Sequence, residues 1–220
     1  MIYTDLHSHK ISGEGNIQIL NIFAQDLPLD EPDYFFSAGL HPWHIEKVNP
    51  EECIQEIEWA ADQKNMLAIG ECGLDRSIAT EFQLQEKYFS EQIQVAGKHS
   101  KPLIIHCVRA YADLLKLKKQ TKSKVPWIIH GYRGNLETTL SLIKQEFFFS
   151  VGEQLLKDES KHSVFRSIPI DRLFFETDDL EISIREVYKL AAQIREIEEE
   201  TLIETIFRNF RRLFGEKNRN

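Results

Sequence analysis

The sequence predicts an α/β fold of the TIM-like (β/α)8 class, degenerate or shortened over its first three strands. Three observations carry that reading. Short, nearly all-apolar segments recur along the chain, and from about Asn49 onward they alternate with segments of helical periodicity. Strands that are apolar on both faces and separated by helices belong to parallel sheets. Residues able to bind metal sit at or near the ends of several of these apolar runs, and barrel enzymes gather their chemistry at strand C-termini. An open doubly wound sheet would offer a single crevice instead. With 220 residues, 42% of them hydrophobic, the chain suits one domain over residues 1–220.

The elements follow in order. Met1 to His7 leads into a first strand. Segments 17–24 and 34–40 also read as strands, but the connector Lys10 to Asn16 is too short for a crossover helix. A missing helix or an antiparallel strand is expected there. Asn49-Pro50-Glu51-Glu52 is a helix start, with a cap, a proline at the first position and acids in the first turn; that helix should reach about Lys64. A strand over 66–71, a helix over 80–98, a strand over 102–106 and a helix over 110–119 follow. Next come a strand over 125–130, a helix over 136–145, a strand over 147–151, a helix over 155–165 and a strand over 172–176. Two helices close the chain. Ser183 with Glu186 makes a capping box for the first; Ile203, Ile206, Phe207, Phe210 and Phe214 stripe the second, which should stop near Gly215.

Charge and cysteine usage narrow the function. Lys plus Arg is 27 against 35 Asp plus Glu, a formal charge of −8. Such a surface does not attract a polyanion overall, although bound divalent ions can supply positive charge locally. Cys53, Cys72 and Cys107 are odd in number and form no CxxC pair, so they read as small core side chains rather than a disulfide framework. No stretch approaches a membrane span, and the start lacks a basic region with an apolar signal core. A cytoplasmic protein is expected, with no membrane contact and no obligate protein partner, acting as a monomer.

Six residues carry the candidate chemistry: His7 and His9 in Asp5-Leu6-His7-Ser8-His9, Glu71, His106, His130 and Asp178. His7 and His9, two apart on a strand, face the same way, with Asp5 one step deeper and able to orient a ligand histidine. Glu71 follows Leu67-Ala68-Ile69-Gly70; a buried carboxylate there needs a metal or an ion pair with Arg76 or Arg109. His106 and His130 each follow three apolar residues. Asp178 shares the parity of Glu176 and can act as a metal ligand and general base. Four histidines, one Glu and one Asp suit two divalent ions, zinc, manganese, nickel or magnesium.

These blocks occur in order with Gly39-Leu40-His41-Pro42, Gly70-Glu71-Cys72-Gly73-Leu74-Asp75, Ile105-His106-Cys107-Val108-Arg109-Ala110, His130-Gly131-Tyr132-Arg133-Gly134 and Glu176-Thr177-Asp178. The set resembles the signature of the TatD family of metal-dependent hydrolases, amidohydrolase-like TIM barrels whose better-known members are deoxyribonucleases. The resemblance makes His7 and His9 ligands of one metal, Glu71 a bridge, His106 and His130 ligands of the second, and Asp178 a further ligand and the base. It places His41 toward a substrate phosphate and gives Arg109 and Arg133 as substrate contacts; Arg76 is a third arginine able to meet a phosphate. The implied function is cleavage of phosphodiester bonds, of DNA first, by a hydroxide activated by two metals. An amide, lactone or ester hydrolase of the same superfamily and a PHP-type phosphoesterase are the alternatives. The sequence departs from the family in a short His9–Gly39 segment, in Asp179-Leu180-Glu181-Ile182 where a proline-bearing loop is usual, and in Arg133 where a small residue is usual.

Overall fold

The computed structural model describes residues 1–13 and 15–215. Strand order follows chain order from the first strand to the eighth, with helices between later strands, as the (β/α)8 class requires. The chain divides into two compact units, Met1–Leu20 with Ile129–Asn220, and Asn21–Ile128. Two strands are shared between them by sequence, so each unit is described by itself. No helix among the described residues is long and apolar enough to cross a membrane.

In the first unit, β1 (Thr4–Ser8) pairs in parallel with β2 (Ile17–Phe23), Thr4 facing Ile17 and Asp5 facing Gln18. Of the two alternatives the short connector leaves, the structure has the missing helix: none among the described residues joins these strands, and the pair is parallel. Eight linking residues can extend about 26 Å, whereas the strand they return along is only about 17 Å long. A bare return loop therefore suffices, and the strand stays parallel. The end of β6 (Trp127–Ile129) leads to α4 (Leu136–Lys144) and β7 (Phe148–Val151), which pairs in parallel with β8 (Leu173–Phe175). Asn135 caps α4 by accepting the Thr138 N–H. The chain returns to β1 through a parallel bridge between Ser8 and Asp178. The last helices, α7 (Ile184–Arg195) and α8 (Glu199–Phe214), end at Gly215 as the sequence predicts. Ser183 Oγ caps α7 by accepting the Arg185 N–H. Buried Asn209 ties α8 to the start of β8, donating to Ile170 O at 2.8 Å and Leu173 O at 3.1 Å.

The helix expected over 155–165 is broken. The structure has α5 (Glu153–Leu156), a 3-10 turn at Glu159–Lys161 and α6 (His162–Ser167). Asp158 causes the interruption. Its Oδ1 accepts both the N–H and the hydroxyl of Ser160, a local bond that competes with the helical ladder.

In the second unit, β2 is followed by a 3-10 turn at Ala24–Asp26 rather than an α-helix, so the degeneracy extends to the second connection. Then come β3 (Phe36–Gly39), α1 (Pro50–Ala60), β4 (Met66–Asp75), α2 (Phe82–His99), β5 (Leu103–Val108) and α3 (Tyr111–Thr121). Asn49 caps α1 as expected, but the helix ends at Ala60, where turns replace its last predicted residues. Both β4 and β5 run past their predicted ends. Glu71 and His106 therefore lie inside strands rather than at their tips. The β4–β5 register shifts between Ile69 and Cys72. Two glycines permit it: Gly70 and Gly73 have φ of 146° and 142°, and a Cβ on Gly73 would stand 2.1 Å from His106 O. Cys72 and Cys107 lie beside the ligand candidates; burial pushes the Cys107 thiol up to about 12 and that of Cys72 well above its ordinary value.

Gly73→Ala is expected to lower unfolding free energy by at least about 2 kcal/mol, since the clash adds to backbone strain. A urea midpoint unchanged from wild type would show that β5 yields without cost. Native protein at pH 8 should leave Cys72 and Cys107 unmodified by iodoacetamide, because the thiolate is scarce about four pH units below the Cys107 value. Reactivity should climb only as the pH nears about 12; rapid alkylation at pH 8 would contradict the burial argument.

Candidate functional site

In the first unit, β1 carries Asp5 and His7 fully buried, and His9 follows at its end, a quarter exposed. Asp178 has a left-handed backbone, φ 57°, and is tied to β1 at both sides: its N–H donates to His7 O at 2.9 Å, and the His9 N–H donates to its carbonyl at 3.0 Å. These bonds bring Asp178 Oδ1 to 3.6 Å from His7 Nε2 and 3.4 Å from His9 Nε2. The ligand-type atoms of these three residues lie within 4.8 Å of one another. His130, directly after β6, stacks on His7 with ring centroids 4.3 Å apart. Its Nδ1 is 3.7 Å from Oε1 of buried Glu176, which also accepts the Gly131 N–H.

Asp5 is bonded to the turn that carries Asp178. Its carboxylate accepts the Thr177 N–H at 3.1 Å and the Thr177 hydroxyl at 2.7 Å. Burial pushes this carboxyl up to about 7, against the lowering by the Thr177 bonds. These bonds hold the turn that presents Asp178.

In the second unit, Glu71 is buried, and its Oε1 lies 2.9 Å from His106 Nδ1 and 3.1 Å from His41 Nε2. Its backbone N–H donates to Asn21 Oδ1 at 2.7 Å, which locks the strand at this residue. The far nitrogen of His106, Nε2, is 3.1 Å from Asp75 Oδ2. Burial alone would raise the Asp75 carboxyl, but bonds from His106, Ser77 and Trp43 together hold it well below the usual carboxylate range. An ionised carboxylate only accepts, so His106 Nε2 carries the proton. In the neutral ring, Nδ1 then turns a lone pair toward the Glu71 carboxylate. That neutral tautomer offers a lone pair and a carboxylate oxygen 2.9 Å apart, donors that suit a divalent cation. His41 differs. Its Nδ1 accepts the Trp43 N–H at 3.1 Å, so the neutral ring donates from Nε2 to Glu71. That geometry makes His41, 3% exposed, a brace on the Glu71 carboxylate.

The arginines divide. Arg109 is exposed, with φ 53°. Arg133 is also exposed and lines a cleft with Gly152, Gln154, Glu176 and Asp178. Arg76 is committed elsewhere, its Nε and Nη2 meeting the Asp113 carboxylate at 2.8 and 2.9 Å. The structure thus groups His7, His9 and Asp178, with His130 beside them, in one unit, and Glu71 with His106 and His41 in the other. Sequence reasoning missed Asp75 as the partner of His106. A signal was present: Glu71, Gly73 and Asp75 alternate on one strand face. It also missed Glu176 beside His130, 3.7 Å from its Nδ1.

Comparison with known proteins follows the same lines. The family model described as TatD related DNase matches residues 20–215. An uncharacterized metal-dependent hydrolase, BU355, from Buchnera aphidicola is 31% identical over 153 residues, covering 66% of this chain and 58% of the relative. The chain therefore spans less than two thirds of that relative's length. The 3'-5' ssDNA/RNA exonuclease TatD of Pectobacterium atrosepticum is 30% identical over 183 residues, 77% of this chain and 69% of the relative. Among solved structures, YJJV, a TatD homolog from Escherichia coli, aligns with a TM-score of 0.82 at 18% identity, covering 96% of this chain and 97% of that one, a likeness of fold.

Asp75→Asn should weaken divalent-metal binding about 10- to 100-fold, the usual cost of losing a carboxylate that orients a ligand histidine. Competition against a chromophoric chelator measures it. Affinity equal to wild type would show that Asp75 does not set the His106 ring.

Proposed function

The chain belongs to the TatD related DNase family and is by that membership a TatD-type metal-dependent hydrolase; we propose that it cleaves phosphodiester bonds of single-stranded DNA, with RNA as a second substrate. The observation that carries the reading is the Glu71–His106 pair, a buried carboxylate against the unprotonated face of an imidazole whose other nitrogen is held by Asp75. The His7, His9 and Asp178 group supports it independently.

Two divalent ions are the proposed complement. His7, His9 and Asp178 are donors in one unit, Glu71 and His106 are donors in the other, and His130 is a further donor. Mixed imidazole and carboxylate donors suit zinc, manganese or nickel, with magnesium favoured only by the carboxylates. When bound, the ions supply Lewis acidity toward a phosphoryl oxygen and acidify water. The protein's own groups do the rest. Asp178, about a third exposed at its side chain, can take a proton from the attacking water. Arg133, which shares a cleft with Asp178, offers a planar fork for a non-bridging phosphate oxygen. Arg109 is the second proposed phosphate contact. Asp5 and Thr177 keep the Asp178 turn in place while charge develops. His41 holds Glu71 from the side opposite in protonation to His106. The unpaired thiols of Cys53, Cys72 and Cys107 support a reducing, cytoplasmic setting.

Purified protein reconstituted with manganese or zinc should shorten a labelled single-stranded oligonucleotide, and chelation should abolish the activity. Asp178→Asn should cut turnover by about 100-fold or more with unchanged far-UV circular dichroism. Hydrolysis of carboxylic esters alone, with oligonucleotides left whole, would refute the nuclease reading.

A further inference from the structure

Trp43 is 51% exposed, yet its indole is anchored. The Nε1–H donates to Asp75 Oδ2 at 2.8 Å. The ring meets His41 at a centroid distance of 5.0 Å and 84°, and His106 at 5.7 Å and 75°. Its polar handle is therefore spent on a carboxylate that is 1% exposed, and what remains open is π surface. A single exposed apolar side chain ordinarily needs no account. This one differs because one oxygen, Asp75 Oδ2, takes both the indole N–H and His106 Nε2, so the ring is registered to a candidate metal ligand. Phe23 is a second aromatic contact of His41, 6.0 Å away.

Resting on the nuclease reading above, we propose that the open face of Trp43 stacks a base of the single-stranded substrate and so sets the adjoining phosphate against the Glu71–His106 pair. Every base has a π-face, so such a platform is tolerant of sequence but requires an unstacked base. A duplex keeps its bases stacked and cannot use it. The charge balance favours such a contact. A chain of net charge −8 gains little from releasing counterions, so a non-ionic contact must supply much of the affinity.

The test compares two phosphorothioate-linked, fluorescein-labelled oligothymidylates, one with ordinary and one with abasic residues at its 3' end. Binding is read by anisotropy on manganese-loaded wild type, Trp43→Leu and Trp43→Phe. Both variants lose the bond to Asp75, so only the aromatic face separates them. Wild type should prefer the base-bearing strand by about tenfold or more. Trp43→Phe should keep most of that preference, and Trp43→Leu should bring it close to one. A wild-type preference near one, or the same preference in Trp43→Leu, overturns the stacking proposal. If Trp43→Leu fails to fold, Trp43→Gln takes its place in the same comparison. Turnover of the ordinary phosphodiester strands is scored separately. Hydrolysis of neither strand refutes the nuclease reading, while hydrolysis with an unchanged ratio in Trp43→Leu refutes the stack alone.

Discussion

Glu71 is a carboxylate placed where water cannot solvate it, and two imidazoles stand within hydrogen-bonding reach of its Oε1. Burying an ionised carboxylate costs several kcal/mol unless charge or hydrogen bonds compensate. One neutral imidazole, His41, donates to it. The other, His106, directs Nε2 to Asp75 and stands with Nδ1 2.9 Å from Glu71 Oε1. Several contacts of the second unit hold this carboxylate in place. Asn21 fixes the backbone at Glu71, Gly70 and Gly73 let β5 approach, and Gln85 accepts the Asp75 N–H at 2.8 Å. A stable core would not need any of these.

The first unit solves a related problem differently. Asp178 is not on a strand; it follows β8 in a left-handed turn. A loop carboxylate would wander without help. Two backbone bonds to β1 and the Asp5–Thr177 pair remove that freedom. The imidazoles of His7 and His9 come from a regular strand, where the period of two places both on one face, so only the carboxylate requires this bracing. Within each unit, bracing is spent on the groups whose backbone is irregular.

This division explains what could be read from sequence. Apolar runs and helix caps announce elements: Asn49 and Ser183 act as the caps they resemble. Ligand candidates were legible because each departs from an apolar run. The braces were not. Asp75 lies inside a motif and looked like its end, since the strand was expected to stop at Glu71. Its partner His106 is 31 residues away, and only the shifted β4–β5 register brings the two together. The broken 155–165 helix turns on one side-chain bond of Asp158, a competition between equal local interactions that periodicity does not register. The bare connection after β1 was legible as a shortage of residues, but its parallel direction required comparing link length with strand length.

Fidelity of a site to one reaction depends on which side chains are committed and which are left open. Arg76 is satisfied by Asp113 and can offer a phosphate little without losing a bidentate pair. Arg133 keeps its fork exposed beside Asp178. Trp43 commits its N–H and leaves its face open. The first unit therefore presents charge and the second π surface, while hydrogen-bond donors that would select a particular base are not evident among these residues. On the stacking proposal, an open π face whose N–H is already committed would read strandedness rather than base identity.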